Sequence, residues 1–200
     1  MQNIVELSGR LNWIDILVLI VFFRLIFISL KQGLGAEFFK LLGTLFALYL
    51  SLHYYFYFAT FLNGYAANIN PEIPVLELIA FVILFAFGYL FFWAMRVSTF
   101  RFISAEVNSE FSKWGGFVCA VLRSFFLSSL ILFAFVIPGK AYFKDSVRYS
   151  FSGYYFLKVA PATYTFIWES IASKFNSGEK YNSAVKDVYP AEAKQKKKNK

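Results

Sequence analysis

One cysteine, Cys119, and one histidine, His53, are all that the 200 residues hold of these two types. An intrachain disulfide is thereby excluded, and a Cys/His metal cluster has too few ligands to form. The chain also lacks a nucleophile elbow, a glycine loop that could cradle phosphate, and any metal-ligand spacing. No His is placed to act as a base with the few carboxylates. These absences point away from an enzyme and imply no catalytic residue, cofactor or metal.

What the chain has instead is apolar mass. Hydrophobic residues make up 58% of it and the mean hydropathy is +0.55, too apolar for a soluble domain of this length. Phe (27) and Tyr (13) suit a lipid-facing and interfacial surface. The net charge of +8 is weighted toward the end, which reads "KQKKKNK". That favours an appended basic tail over a nucleic-acid-binding domain.

Uninterrupted apolar runs occur four times, over 13–30, 38–62, 75–94 and 115–137, each near the roughly 20 residues that cross a bilayer core. Pro138 and Gly139 stop the last. The expected fold is therefore all-α: four transmembrane helices, then an amphipathic helix and a flexible basic tail. The leader "MQNIVELSGR" carries Glu6 and Arg10, and no small-x-small cleavage site follows the first run. We expect that run to remain as an anchor. Three regions follow: a transmembrane domain at 1–139, a membrane-proximal segment at 140–176, and a disordered Lys-rich tail at 177–200.

The connection "SLKQGLGAE" is short enough to make the first two spans antiparallel neighbours. It places Glu37 in the first turn of span two, where the helix dipole favours a carboxylate. Trp13 and "HYYFYF" at 53–58 would share one water interface, with Trp93 and Trp114 at the other. Basic residues near the span ends are balanced between the sides: Lys31, Lys40, Arg96, Arg101 and Lys113 against Arg10, Lys140, Lys144 and Arg148. Orientation stays open.

Charge inside the first span needs a reason. Asp15 and Arg24 lie about 180° apart around a helix and about 13.5 Å apart along it, so they do not pair with each other. Asp15 is either an interfacial first-turn acid or a polar group facing the bundle. Arg24 either snorkels to the interface or faces an acid, with Glu37 and Glu77 in reach. In the fourth span Arg123 either reaches back to the interface beside Trp114 or lines a polar path. Small residues recur every fourth position as Gly43, Ala47, Ser51 and as Gly116, Ala120, Ser124, Ser128. Such stripes allow close helix packing, within a subunit or between subunits.

Residues 161–175, "PATYTFIWESIASKF", begin on a proline suited to a first helical turn. They bring Tyr164, Ile167, Trp168, Ile171 and Phe175 onto one helical face. This face either lies in the membrane surface, with the Lys-rich end against anionic lipid, or packs on a neighbouring subunit, and the surface is the expected position.

The stretches "NWIDILVLIV", "KQGLGAEFFKLLG" and "WGGFVCAVLRSFFLSSLILF" together resemble the CvpA family, the colicin V production proteins. Asp15, Gly33, Glu37 and Gly43 look like the family's Asp, Gly, Glu and Gly of the first two spans, and Gly116 and Arg123 like its Gly and basic position in the fourth. Where the family tends to have a basic residue followed by Gly ahead of the hairpin, this chain has Ile28 and Ser29. Arg24 lies one turn earlier on nearly the same face. The resemblance implies a multi-pass protein of the bacterial inner membrane, linked to production or export of a peptide toxin and to envelope homeostasis.

Two functional classes remain in contention beside the disfavoured enzyme. One is an accessory or scaffold factor with secretion or envelope proteins as partners. The other is an oligomeric channel or small-solute transporter, motivated by Asp15, Arg24, Arg123 and the small-residue stripe. Expected partners are membrane lipids and further copies of the chain, and no nucleic acid.

Overall fold

A computed structural model describes residues 12–29, 33–65, 71–100, 110–175 and 179–187, and every regular element among them is helical. Four long helices come first: α1 (Trp13–Ser29), α2 (Leu34–Tyr65), α3 (Ile73–Phe100) and α4 (Glu110–Val136). Shorter ones follow: α5 (Ala141–Tyr149), α6 (Phe151–Phe156), α7 (Val159–Ile167), a π-helical turn (Trp168–Ala172), α8 (Ser173–Phe175) and α9 (Ala184–Asp187).

Three of the four expected spans, α2, α3 and α4, are long and apolar enough to cross a membrane. The 17 residues of α1 cover about 25 Å, against about 30 Å for a hydrocarbon core. Its start carries the acidic half of a capping box. Asn12 Oδ1 accepts from the Trp13 N–H at 2.7 Å, while the Asp15 carboxylate accepts from the Asn12 N–H at 2.9 Å.

The long helices form a row in the order α3, α2, α4, α1. Consequently α1 and α2 run in opposite directions, but α1 packs chiefly on α4 while α2 packs on α3 and α4, which corrects the expectation that they are neighbours. A short link dictates direction; side chains dictate the partner. The small residues Gly116, Ala120, Ser124 and Ser128 are all buried, so the fourth-span stripe is a packing face within the subunit. Tyr55, Phe81 and Phe133 tie α2, α3 and α4 together through ring contacts of 5.7 to 6.4 Å.

The α2–α3 contact is the tightest of these crossings. A Cβ on Gly88 would lie 2.8 Å from the Ala47 Cα, and one on Gly43 would lie 2.8 Å from the Phe92 Cβ. Only glycine lets the two backbones meet there.

After α4 the chain turns at Pro138 and Gly139, whose φ of 74° suits glycine. It then folds back along the row. On α5, Tyr142 and Phe143 pack on Trp13. On α6, Phe156 reaches Phe22 of α1 and Phe125 of α4. Phe22 lies about 13 Å along α1 from Trp13, so α6 climbs well into the body of the molecule. The start of α7 is fixed there by the Ala160 N–H, which donates to Ser129 Oγ at 2.7 Å. Gly153 permits the tight α5–α6 corner, because the Val147 carbonyl sits where its Cβ would be.

Two expectations about the C-terminal half are thereby corrected. Within the membrane-proximal segment, Val147, Leu157, Ala160 and Tyr164 share one core with Leu48, Leu52 and Phe133. The amphipathic face also divides, with Tyr164 buried and Trp168 stacked on His53 while Ile171 and Phe175 stay exposed. Residues 179–187, expected in a free tail, pack on the bundle, and Val185 is fully buried. The Lys-rich residues 188–200 lie outside the described residues.

Glycine substitutions check the α2–α3 crossing. Gly88→Ala should lower stability in detergent by about 1–3 kcal/mol, because the methyl meets backbone rather than a movable side-chain end. Gly64→Ala, with open space around it, should be neutral or slightly stabilising, since alanine favours a helix by up to about 1 kcal/mol. Thermal unfolding followed by tryptophan fluorescence distinguishes the two; equal midpoints would place the tight crossing elsewhere.

Candidate functional site

Three buried polar centres organise the molecule, and each joins elements far apart in sequence. The first is built on Asp15. Besides completing the cap of α1, its carboxylate accepts from the Ser152 N–H at 2.6 Å and from the Phe151 N–H at 3.3 Å. These are orphan amides at the start of α6, so one acid satisfies the N-termini of two helices. Asn12 adds a bond from its side-chain amide to the Ser146 carbonyl. Asp15 is thus both a first-turn acid and a group facing the bundle.

The second centre is charged. Glu37, in the first turn of α2, is fully buried. Its Oε1 accepts from Lys40 Nζ at 2.6 Å, and its Oε2 lies 3.3 Å from Arg123 Nη1 of α4. Arg123 also donates from Nη2 to Ser29 Oγ of α1 at 2.9 Å, and the Ser29 hydroxyl donates in turn to the Leu25 carbonyl. Arg123 is only 3% exposed, so it neither reaches back to the interface beside Trp114 nor snorkels. The cluster joins α1, α2 and α4 at one end of the row. Glu37 Oε2 and Arg123 Nε have no hydrogen-bond partner among the described residues, nor does Ser128 Oγ, on the same helix as Arg123.

The third centre surrounds His53 on α2. The imidazole is stacked between Tyr49 at 5.3 Å and Trp168 at 5.1 Å, with its Nδ1 2.8 Å from the Tyr164 hydroxyl. Its Nε2 lies 3.3 Å from Glu179, whose other carboxylate oxygen accepts from the Tyr54 hydroxyl at 2.6 Å. The Tyr164 hydroxyl also accepts from the Asn182 N–H at 3.1 Å. Asn182 in turn donates its side-chain amide to the Leu52 carbonyl at 2.8 Å. The histidine and Tyr55 expected at an interface therefore point inward, and the cluster fastens residues 179–187 to α2.

Among the candidate residues, the structure unites Glu37 with Arg123. It puts Asp15 at the opposite end and buries Gly33, Gly43, Gly116 and Ala120 in helix contacts. Arg24 is different: it is exposed on α1 with no ion pair among the described residues, so neither Glu37 nor Glu77 is its partner. Ser29, Lys40, Gly88, Glu179 and Asn182 belong to these contacts and were not singled out beforehand. Lys40 had a signal, the three-residue spacing from Glu37 that pairs side chains along a helix. Asn182, ahead of "SAV", has the form of a helix cap, since its Oδ1 accepts from the Ala184 N–H. Glu179 had none.

Long apolar helices crossing through small residues, with acids and arginine buried between them, define a multi-pass α-helical membrane protein. The Colicin V production protein family matches residues 14–161, and the chain belongs to that family. Neither a curated protein nor a solved structure shows significant similarity to it.

The charged centre makes a definite energetic demand. Arg123→Gln should destabilise the protein by about 3 kcal/mol, because it leaves Glu37 buried with Lys40 alone. With Glu37→Gln as the second change, the double variant should be more stable than the sum of the singles predicts, by about 1 kcal/mol or more. Denaturation in detergent reads both; strict additivity would mean that the pair is not coupled.

The His53 centre can be probed from its far side. Tyr164→Phe removes the acceptor of the Asn182 N–H and the partner of His53 Nδ1, at a cost of about 1–3 kcal/mol. Amide exchange at residues 181–185 should accelerate while exchange in α3 stays as it was. Equal protection in the two proteins would show that the C-terminal segment is held by something else.

Proposed function

We propose that this chain is a non-enzymatic accessory or scaffold factor of the bacterial inner membrane. It would serve production and export of a colicin V type peptide toxin and, more broadly, envelope homeostasis. Family membership supplies the toxin connection. The observation that carries the scaffold reading is the use made of the buried charges: Asp15 holds backbone amides of α1 and α6, while Glu37 holds Lys40 and Arg123. Acids committed to tertiary contacts serve assembly rather than turnover.

In this reading α1 is a fourth span. A stretch of about 25 Å lies within the accepted range when flanking residues and bilayer thinning contribute, and both ends of the four-span unit then face the same side. Lipid covers the exposed apolar side chains of α1 and α3, such as Leu19, Phe23, Phe27, Phe87 and Leu90. Further copies of the chain, or secretion and envelope proteins, would dock on part of that surface.

A second reading, an oligomeric channel or small-solute transporter, draws on one observation. Glu37 Oε2, Arg123 Nε and Ser128 Oγ are buried without hydrogen-bond partners among the described residues, a pattern suited to water within the bundle.

Reconstitution separates the readings. Liposomes containing the purified full chain should retain ions and small solutes, while a toxin-producing strain lacking the chain should lose export and regain it on complementation. Solute leakage that disappears with Arg123→Gln, in protein still folded, would instead establish the channel.

A further inference from the structure

Beside the charged centre, α2 and α3 leave a shallow, open surface groove lined by Lys40, Gly43, Tyr89, Phe92, Trp93 and Arg96 among others. At Gly43 the two helices meet closely: a Cβ there would lie 2.8 Å from the Phe92 Cβ. The groove lies near the start of α2 and about one to three turns before the end of α3. Tyr and Trp concentrate at this depth of a bilayer, and Trp93 is half exposed.

Charge at this end of the molecule is unbalanced. Lys40, Arg96 and Arg123 gather near one carboxylate, Glu37, which is engaged by Lys40 and Arg123. Arg96 is half-buried in the groove wall and has no acidic partner among the described residues. A half-buried guanidinium on an interfacial aromatic surface calls for an anion, and its planar donors suit phosphate oxygens.

We propose that this groove binds the phosphate of an anionic phospholipid headgroup, with Arg96 as the principal contact and Lys40 as the second cation. Trp93 and Tyr89 flank the headgroup at the interface. A lipid rather than a free phosphate is the occupant because the groove opens on the helix surface beside the exposed apolar residues Leu90 and Phe91 of α3, where acyl chains lie. This site is separate from the Lys-rich end of the chain and does not depend on the scaffold or channel reading.

Native mass spectrometry of the full chain in detergent tests the proposal. Phosphatidylglycerol should give retained adducts and phosphatidylcholine far fewer. Arg96→Gln should weaken the anionic adduct about fivefold, the effect expected of one basic residue near an anionic surface. Arg96→Lys should recover part of it. Arg24→Gln, which removes an exposed cation elsewhere, should change nothing. Equal retention of both lipids by the wild-type chain overturns the proposal whether or not the variants fold. So does an equal loss from Arg24→Gln, and displacement of the lipid by millimolar inorganic phosphate would assign the groove to the free anion.

Discussion

An ion pair removed from water can persist only if its position is over-determined, and the Glu37–Arg123 contact imposes that condition on three helices at once. Glu37 must sit in the first turn of α2, Arg123 must face it from α4, and Ser29 at the end of α1 must receive the guanidinium's second donor. Desolvating two such groups costs several kcal/mol apiece, repaid only by close geometry. Hence α4 lies between α1 and α2, and its face toward them is made of small residues that let the charged side chains meet.

Asp15 acts on the other end by a related principle. A carboxylate next to two helix N-termini is favourable to both, because each start leaves amides without internal partners. The chain after α4 therefore turns back rather than leaving the bundle, and α6 begins where Asp15 waits. From that anchor Phe156 meets Phe22 and Phe125, and Ala160 meets Ser129. The His53 cluster continues the attachment to residues 179–187. At both ends of this path a buried polar group finds its partner more than a hundred residues away, Asp15 in Ser152 and the Leu52 carbonyl in Asn182.

This arrangement bears on function through what it leaves accessible. The carboxylates most removed from water are occupied by the fold, whereas the exposed Arg24 and the half-buried Arg96 have no acidic partner among the described residues. The proposed dealings with lipid and with other membrane proteins would draw on such outward-facing cations. They also direct attention to the α2–α3 groove.

Helical class, membrane residence, the approximate runs of α2, α3 and α4, and membership of the colicin V production family were legible in the residues. Apolar length, turn punctuation and short motifs are local properties that need no knowledge of distant contacts. The small-residue stripe on α4 was equally legible, because a four-residue repeat marks one helix face whatever it meets. Direction could be inferred from the short α1–α2 link. Neighbourhood could not, since α1 found its partner in Arg123 and Phe125, about a hundred residues later. The same reason hid the fate of Arg123, which has the sequence context of an interfacial arginine until Glu37 and Ser29 are brought beside it. Residues 179–187 are the sharpest case: polar and without apolar periodicity, they carry a single local signal, the cap-forming Asn182. They are ordered because His53, Tyr164 and the Leu52 carbonyl present Glu179 and Asn182 with hydrogen-bonding partners that only the assembled tertiary structure brings together.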